Sequence, residues 1–397
     1  MTFLRTLGLA VVVTLAACDT AGDSPPASDE TVAVAARAGL LLQADGPVGD
    51  RLVPVPANVA TFYPVAGASA RAGAVALSAL YNIVPPSAAS HATHLTFQDG
   101  GVAASYLVPG NAFGGGFDII DRADPSASTQ FTSALVDFAE VFDLGGTLYF
   151  SGSLDIENPA AAPLGFASKA VFARLVPDAD GLDSTLYLAD LDSDFVMDAT
   201  YPGSGKHLYV VTGFDGSLYR IDKDNLNASR RLSAFDLRSV AAARVDGKDQ
   251  LFVLDGAGAV YRMEASKKDL GAPLHTATQG GYPVGAIAKL HVSGDRVYVP
   301  SGVLGFDVIT TDGAFVTHVQ SGAVKSLATA GDLVFVSNAD DGVYVAQWDE
   351  AGTALSIIGQ IDFGSASVNH IEVDGSTLYV AAGADGIYAI AFSEAGE

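Results

Sequence analysis

Apolar runs separated by glycine-containing turns recur along this chain and predict repeated β-hairpins. The clearest unit is TLYVAAGADGIYAIAF at residues 377–392, and similar units occupy residues 207–221, 250–263, 296–309 and 333–346. Each unit has an apolar run, a turn rich in Gly and Asp, and a second run with aromatic and β-branched residues. Gly and Asp suit tight hairpin turns because they tolerate positive φ. Repeated strand pairs of this kind predict an all-β fold, the β-propeller.

The spacing of the repeats predicts the number of blades, which are the four-stranded sheets of a propeller. A marker residue in the second strand of each unit recurs every 37 to 60 residues, at Val53, Tyr106, Tyr149, Tyr209, Phe252, Tyr298, Phe335 and Tyr379. This period suits four-stranded blades. The last repeat ends one strand short, so a strand from the N-terminal part must complete it and leave no open sheet edge. We predict eight blades closed by TVAVAAR (31–37). In the alternative, residues 31–70 are an appendage and VALSALY (75–81) closes a ring of seven blades.

The first residues, MTFLRTLGLAVVVTLAAC, have the pattern of a bacterial lipoprotein signal peptide. Arg5 supplies the positive charge, and the apolar stretch Leu7–Ala17 is short for a transmembrane helix. Leu-Ala-Ala-Cys at residues 15–18 resembles a lipobox, whose cysteine is acylated after cleavage. Because Cys18 is the sole cysteine, the sequence also excludes an internal disulfide. We therefore predict a signal peptide at residues 1–17, a polar tether at 18–30 with Cys18 lipidated, and a propeller domain at 31–397.

The net charge and the predicted lipidation site limit the partners and the location that we expect for the protein. The chain of 397 residues has a formal net charge of -24 at pH 7. Such a charge disfavours nucleic acid and anionic lipid surfaces as partners. The predicted lipid at Cys18 makes a membrane the first partner. It places the protein in the bacterial cell envelope, either periplasmic or surface-exposed.

Two hairpins near the C-terminus resemble a known repeat family. They read GDLVFVSNADDGVYVAQWD (331–349) and GSTLYVAAGADGIYAIAF (375–392), and they are similar to the LVIVD-type repeats of bacterial surface propeller proteins. The resemblance covers residues 206–393 well and 38–205 loosely. It implies a propeller strand pair and not a particular activity. A propeller on a lipoprotein is also similar to the assembly-factor lipoprotein of the outer-membrane β-barrel machinery, but Trp348 stands alone where that family has recurrent Trp motifs.

Three acidic residues form the one metal candidate that we name from the sequence. Asp190, Asp192 and Asp194 alternate in DLDSDF, as carboxylates do at the start of a calcium loop. Phe195 and Tyr201 stand where such a loop needs Gly and Glu, so we expect at most weak calcium binding. A solvated acidic connection is the alternative. We predict no other cofactor.

Histidines and hairpin-tip acids are the other polar groups whose position the repeats predict. Four histidines fall on or near predicted innermost strands, where they would line the central channel: His91, His94, His291 and His370. Acids at the hairpin tips would form a rim on one face: Asp215, Asp255, Asp340, Asp341 and Asp385. Scattered structural histidines and ordinary turn chemistry are the alternatives.

No catalytic constellation is apparent in the sequence, and we predict no catalytic residue. The chain has no GxSxG elbow and no phosphate-binding loop. We therefore predict a membrane-anchored propeller scaffold whose loops bind a protein or a glycan. The alternative is a propeller hydrolase, lactonase- or glycosidase-like, with its site in the central channel. Converging His and Asp side chains in the channel would favour the enzyme.

Overall fold

The computed structural model describes residues 30–31, 34–37, 41–56, 58–65, 75–98, 100–176, 185–213, 216–233, 236–279, 281–283 and 286–394. Six strands precede the first complete blade: β1 (Glu30–Thr31), β2 (Val34–Arg37), β3 (Gln43–Pro47), β4 (Leu52–Val53), β5 (Thr61–Pro64) and β6 (Val75–Ile83). Three short 3-10 helices are described, at Val48–Arg51, Pro125–Ala127 and Ala162–Leu164.

Together with β6, the rest of the chain forms seven four-stranded antiparallel blades. Blades 1 to 3 contain β7 (His91–Gln98), β8 (Gly101–Leu107), β9 (Gly116–Asp121) and β10 (Thr129–Thr132); β11 (Val136–Leu144), β12 (Thr147–Leu154), β13 (Ala170–Val176) and β14 (Thr185–Asp190); and β15 (Val196–Thr200), β16 (His207–Thr212), β17 (Ser217–Asp222) and β18 (Ala228–Ser233).

Blades 4 to 6 follow in the same order. They contain β19 (Leu237–Val245), β20 (Lys248–Asp255), β21 (Ala259–Glu264) and β22 (His275–Thr276); β23 (His291–Ser293), β24 (Arg296–Pro300), β25 (Phe306–Thr310) and β26 (Phe315–Val319); and β27 (Ser326–Ala330), β28 (Leu333–Ser337), β29 (Val343–Trp348) and β30 (Leu355–Asp362). Blade 7 consists of β31 (His370–Asp374), β32 (Thr377–Ala381), β33 (Ile387–Glu394) and the N-terminal strand β6.

The all-β propeller is therefore confirmed, but the prediction of eight blades is wrong and the alternative of seven is right. Strand β6 closes the ring by pairing along β33 from Ile387↔Ile83 to Glu394↔Val75. Gly386, at φ 89°, precedes β33, and a side chain there would collide with the Ile83 carbonyl. Seven of the eight marker residues lie in second strands, whereas Val53 lies in the two-residue strand β4.

The TVAVAAR segment does not close the ring, because β2 pairs with the outer edge of β14 in blade 2. It is one part of a belt, by which we mean the five strands β1 to β5. These strands add a fifth, outermost strand to blades 3, 2, 1, 7 and 6 in that order. The belt thus supplies ladder partners to five outer edges, which are the exposed edges of a propeller.

Seven apolar clusters hold the ring together, one between each pair of neighbouring blades. Strand β20 shows how: Leu251 and Val253 pack toward blade 3, whereas Phe252 and Leu254 pack toward blade 5. Successive side chains of a strand point to opposite faces, so a sheet buried on both faces needs continuous apolar runs. This arrangement explains the unbroken runs that mark the repeats.

Candidate binding cleft at the mouth of the channel

The central channel is walled by the first strand of each blade, and polar side chains project into it. Glu140 lies on β11, Asp198 on β15 and Glu372 on β31, while Lys289 lies just before β23. The exposed fraction is 2% for Glu140, 7% for Asp198 and 9% for Lys289. Charged residues buried this deeply need partners, because transfer from water costs several kcal/mol per ion.

Lys289 and two carboxylates satisfy one another in this wall. The Lys289 ammonium contacts Glu140 Oε1 and donates to Asp198 Oδ1 at 3.0 Å. Burial lowers the pKa of Lys289 to about 7. Burial also raises the pKa of Asp198 to about 7 and that of Glu372 to about 7. The pKa values of three titratable groups in the channel thus lie near neutral pH.

Neighbouring strands hold Asp198 in position. Its Oδ2 accepts hydrogen bonds from the Ser239 hydroxyl and, at 2.9 Å, from the Val240 amide, both on β19. The Leu290 amide donates to the Ser239 oxygen at 2.9 Å. A bulge between Val196 and Asp198 interrupts the β15–β16 register at this point. A carboxylate held by donors on another blade has a defined orientation, as a site for chemistry or binding requires.

Two histidines stack across the junction of blades 7 and 1. The ring centroids of His94 and His370 are 3.8 Å apart. His94 Nδ1 donates to the Val141 carbonyl at 3.0 Å, and His370 Nδ1 accepts from the Leu95 amide at 3.3 Å. Burial, with the nearby charge of Lys289, holds the pKa of both imidazoles well below the usual value. Both rings are therefore neutral, and their ring protons are assigned by these bonds.

A cleft of about 980 Å³ opens at one mouth of the channel, with Glu140 and Lys289 among its lining residues. Its other walls come from the β8–β9, β12–β13 and β14–β15 connections, which belong to blades 1 to 3 and lie on one face of the ring. Half-buried rings of Phe113 and Phe195 contribute to the walls. A concave site with apolar walls and a few placed polar groups is the usual form of a ligand pocket.

Carboxylates dominate the charges of the cleft. Five acids line it, and two lysines accompany them: Asp137, Glu140, Asp155, Glu157, Asp194, Lys169 and Lys289. Burial raises the pKa of Asp137 to about 6, although the amides of Val108 and Gly114 donate to its Oδ1 at 3.0 and 3.3 Å. The formal charge of the lining is negative, which favours cationic ligands.

The three predicted calcium ligands have other partners in the structure or lie apart. Asp190 Oδ2 accepts from the Ala167 amide at 2.8 Å. Asp192 forms an ion pair with Arg230 at 2.8 Å. Asp194 lies in the wall of the cleft. Among the residues that the structure describes, no group of three His, Cys, Asp or Glu side chains is placed to hold a metal ion. Weak calcium binding at this loop stays a prediction.

The four histidines do lie on innermost strands, β7, β23 and β31. His94 and His370 meet, whereas His291 contacts Thr329 of blade 6 at 3.2 Å from Nε2 to Oγ1. Sequence reasoning missed Lys289, Glu140 and Asp198. Their signal was a charged residue within an otherwise apolar first strand or its approach, as in AIAKLHV.

Of the other residues singled out from the sequence, Asp255 lies at a turn, and two lie outside the described residues. Asp255 accepts from the Ala257 and Ala259 amides within its own turn. Cys18 and Asp215 lie outside the described residues. No helix in the described part of the chain is long and apolar enough to cross a membrane.

Comparison with known proteins supports the fold alone. No family model matches the chain, and no curated protein sequence matches it. The chain is similar to a solved structure of a catalytically inactive virginiamycin B lyase from Staphylococcus aureus with quinupristin. The TM-score is 0.57 at 13% sequence identity, over 80% of this chain and 99% of that chain. The propeller is thus shown both by the strand pairing and by a structural neighbour.

Proposed function

We propose that this chain is a lipid-anchored scaffold of the bacterial cell envelope that binds a protein or a glycan through one face of its propeller. The anchor is Cys18, at the end of the signal peptide that the sequence predicts. The binding face is formed by the loops of blades 1 to 3. The likeness to LVIVD-type repeat proteins of bacterial surfaces supports the same reading from the sequence.

The cleft is the observation that carries the proposal. It combines a volume suited to a ligand with half-buried aromatic rings and acidic side chains. The deeper channel groups are engaged with one another: Lys289 with Glu140 and Asp198, and Asp198 with Ser239. Because these channel groups pair with one another, we assign ligand binding to the cleft and not to the channel.

The tether brings the cleft close to the membrane. The described chain begins at Glu30, whose strand β1 lies on the outer edge of blade 3. Residues 18–29 lie between the anchor and this edge, and a fully extended segment of that length spans about 40 Å. Since blade 3 also borders the cleft, the proposal restricts the ligand to the membrane-proximal zone of the envelope.

Cleft filling tests the proposal. Asn111 and Asn158 lie in loops that line the cleft. The Asn111→Trp/Asn158→Trp variant should fold normally and lose the ligand that the wild-type chain captures from solubilised envelopes. Each captured molecule is identified by mass spectrometry and tested again, in purified form, by calorimetry. Equal affinity of the two proteins for that molecule would refute the cleft as the binding site.

The channel groups favour one second candidate, a hydrolase. Glu372, Asp198 and Lys289 have pKa values of about 7, and general acid–base catalysts are adjusted to such values. The structural neighbour is named as a lyase, and because one fold can carry many activities, the propeller is compatible with an active site. A panel of lactones and chromogenic glycosides tests this candidate: turnover that Asp198→Asn abolishes would establish the enzyme.

A further inference from the structure

We propose that the cleft binds an extended peptide segment in which Lys or Arg side chains alternate with apolar ones. The proposal rests on the proposed function and names the chemistry of the ligand. It is carried by three features of the cleft: its apolar walls, its unpaired carboxylates and its continuation along the face of the ring.

The walls offer apolar surface that a free ion would leave uncovered. Leu107, Val108 and Phe113 line the side of blade 1, while Phe195 and Met197 line the side of blade 3. These five side chains are partly exposed to water. A ligand that covers them gains about 25 cal/mol for each Å² of apolar surface removed from water. Apolar side chains of a peptide meet this requirement.

The carboxylates of the cleft exceed the cations that could neutralise them. Lys289 is engaged by Glu140 and Asp198, and Lys169 lies 4.0 Å from Glu157. The side chains of Asp155 and Asp194 have neither an ion pair nor a hydrogen bond to any other described residue. Two unpaired carboxylates beside apolar walls match cationic side chains of a ligand, since complementary charge selects and steers partners.

A second cavity continues the cleft outward along the same face. It has a volume of about 480 Å³, shares Lys169 and Asp194 with the cleft, and reaches Asp192 and Arg230. The two cavities form one groove from the channel mouth across blades 2 and 3. An extended peptide fits such a groove, because its successive side chains point to opposite sides. Alternate positions would then face the apolar walls and the carboxylates.

Fluorescence polarisation with defined peptides tests the proposal on the full chain. The probe is a labelled nonapeptide of alternating Lys and Leu, and the comparison peptide has Glu in place of each Lys. We expect the basic peptide to bind and the acidic peptide to bind at least tenfold more weakly. We expect Asp155→Asn/Asp194→Asn to weaken binding of the basic peptide about tenfold, the loss of two partly screened charge pairs.

A charge-matched variant separates the cleft from the general acidity of the protein. Asp295 and Asp312 are exposed in turns at the other end of the ring. Asp295→Asn/Asp312→Asn removes the same formal charge and should leave peptide affinity within twofold. Equal weakening by the two double variants, or equal affinity for both peptides, would overturn the proposal.

Titration with glycans distinguishes a wrong ligand class from a wrong binding site. Glucosamine oligomers and their N-acetylated counterparts are titrated into the wild-type chain and into Asn111→Trp/Asn158→Trp. Glycan binding that the filled cleft abolishes, without peptide binding, would refute the peptide and retain the proposed function. Peptide or glycan binding that the filled cleft leaves unchanged would refute both.

Discussion

Two neutral histidines at the channel wall make the free energy of unfolding depend on pH in the acidic range. In the folded chain, His370 accepts from the Leu95 amide and stacks on His94. Protonating either ring would charge a buried group, and for His370 it would also break that bond. Burial holds both folded-state pKa values well below the unfolded value of about 6.5. Unfolding therefore takes up protons below about pH 6.5, and stability falls as the pH falls.

We expect His370→Gln to flatten this dependence. The amide oxygen of Gln can still accept from Leu95, but the side chain does not titrate. The slope of the unfolding free energy against pH, between about pH 4 and 6, should decrease by about 1.4 kcal/mol per pH unit, which is one proton. Urea unfolding at several pH values measures the slope. An unchanged slope would mean that His370 does not remain neutral in the folded chain.

Arg51, in the 3-10 helix between belt strands β3 and β4, binds blade 1 through the buried carboxylate of Asp118. Its guanidinium donates to Asp118 Oδ1 at 2.9 Å and Oδ2 at 2.5 Å, and its Nε donates to the Val84 carbonyl at 2.8 Å. The Asp118 side chain is 0% exposed, and Tyr106 also donates to it at 2.6 Å. Removal of the arginine would leave a buried carboxylate without its cation.

We expect Arg51→Met to lower the unfolding free energy by about 3–5 kcal/mol. The paired variant Arg51→Met/Asp118→Leu should recover part of this loss, because no unpaired charge then remains in the interior. Chemical denaturation of the two variants gives the comparison. If the double variant is no more stable than Arg51→Met, the unpaired Asp118 charge is not the cause.

For individual residues, the sequence predicts the position in a strand better than the contacts of the side chain. The repeat alone placed His94 and His370 on channel-lining strands, because every first strand faces the axis. The contact of Lys289 with Glu140 and Asp198 joins residues far apart in the chain. Such a contact depends on the curvature of the ring and on the number of blades, which a local pattern does not contain. The same reason hid the partners of Asp190 and Asp192.

At the scale of elements, strand length separated the predictable parts of the fold from the others. Second strands such as β12 and β20 have continuous apolar runs, and their markers identified all seven blades. The belt strands β1 to β5 have two to five residues each and pair along one edge only. Strands this short do not show a hydrophobic period. This is why the sequence pattern predicts an additional blade with Val53 as its marker.

Loss of ring closure and loss of belt pairing should lower the melting temperature by different amounts. Ala79→Pro places a residue without an amide hydrogen in β6, opposite Ile390 of β33. We expect it to lower the melting temperature by more than 10 °C, because the pairing of β6 with β33 closes the ring. Removal of residues 31–37, whose described strand residues pair with the outer edges of blades 3 and 2, should lower it by a few degrees. Thermal unfolding followed by circular dichroism measures both effects. Equal effects would contradict closure by β6.

The whole molecule has a net charge of -24 and a predicted attachment to a membrane. A strongly acidic surface disfavours adsorption to anionic lipids, so attachment depends on the acyl chains of Cys18. We expect Cys18→Ser to abolish labelling by a radioactive fatty acid and to move the chain to the soluble fraction. Membrane association without label incorporation would contradict the anchor.

Site-specific photo-crosslinking in cells that produce the protein tests whether the ligand binds through the cleft face. Benzoylphenylalanine is placed at Asn158, which lines the cleft, or at Asp295, in an exposed turn on the opposite face. We expect a defined adduct from position 158, lost when Asn111→Trp fills the cleft, and none from position 295. Adducts of equal yield from both positions, or an adduct from position 295 alone, would contradict it.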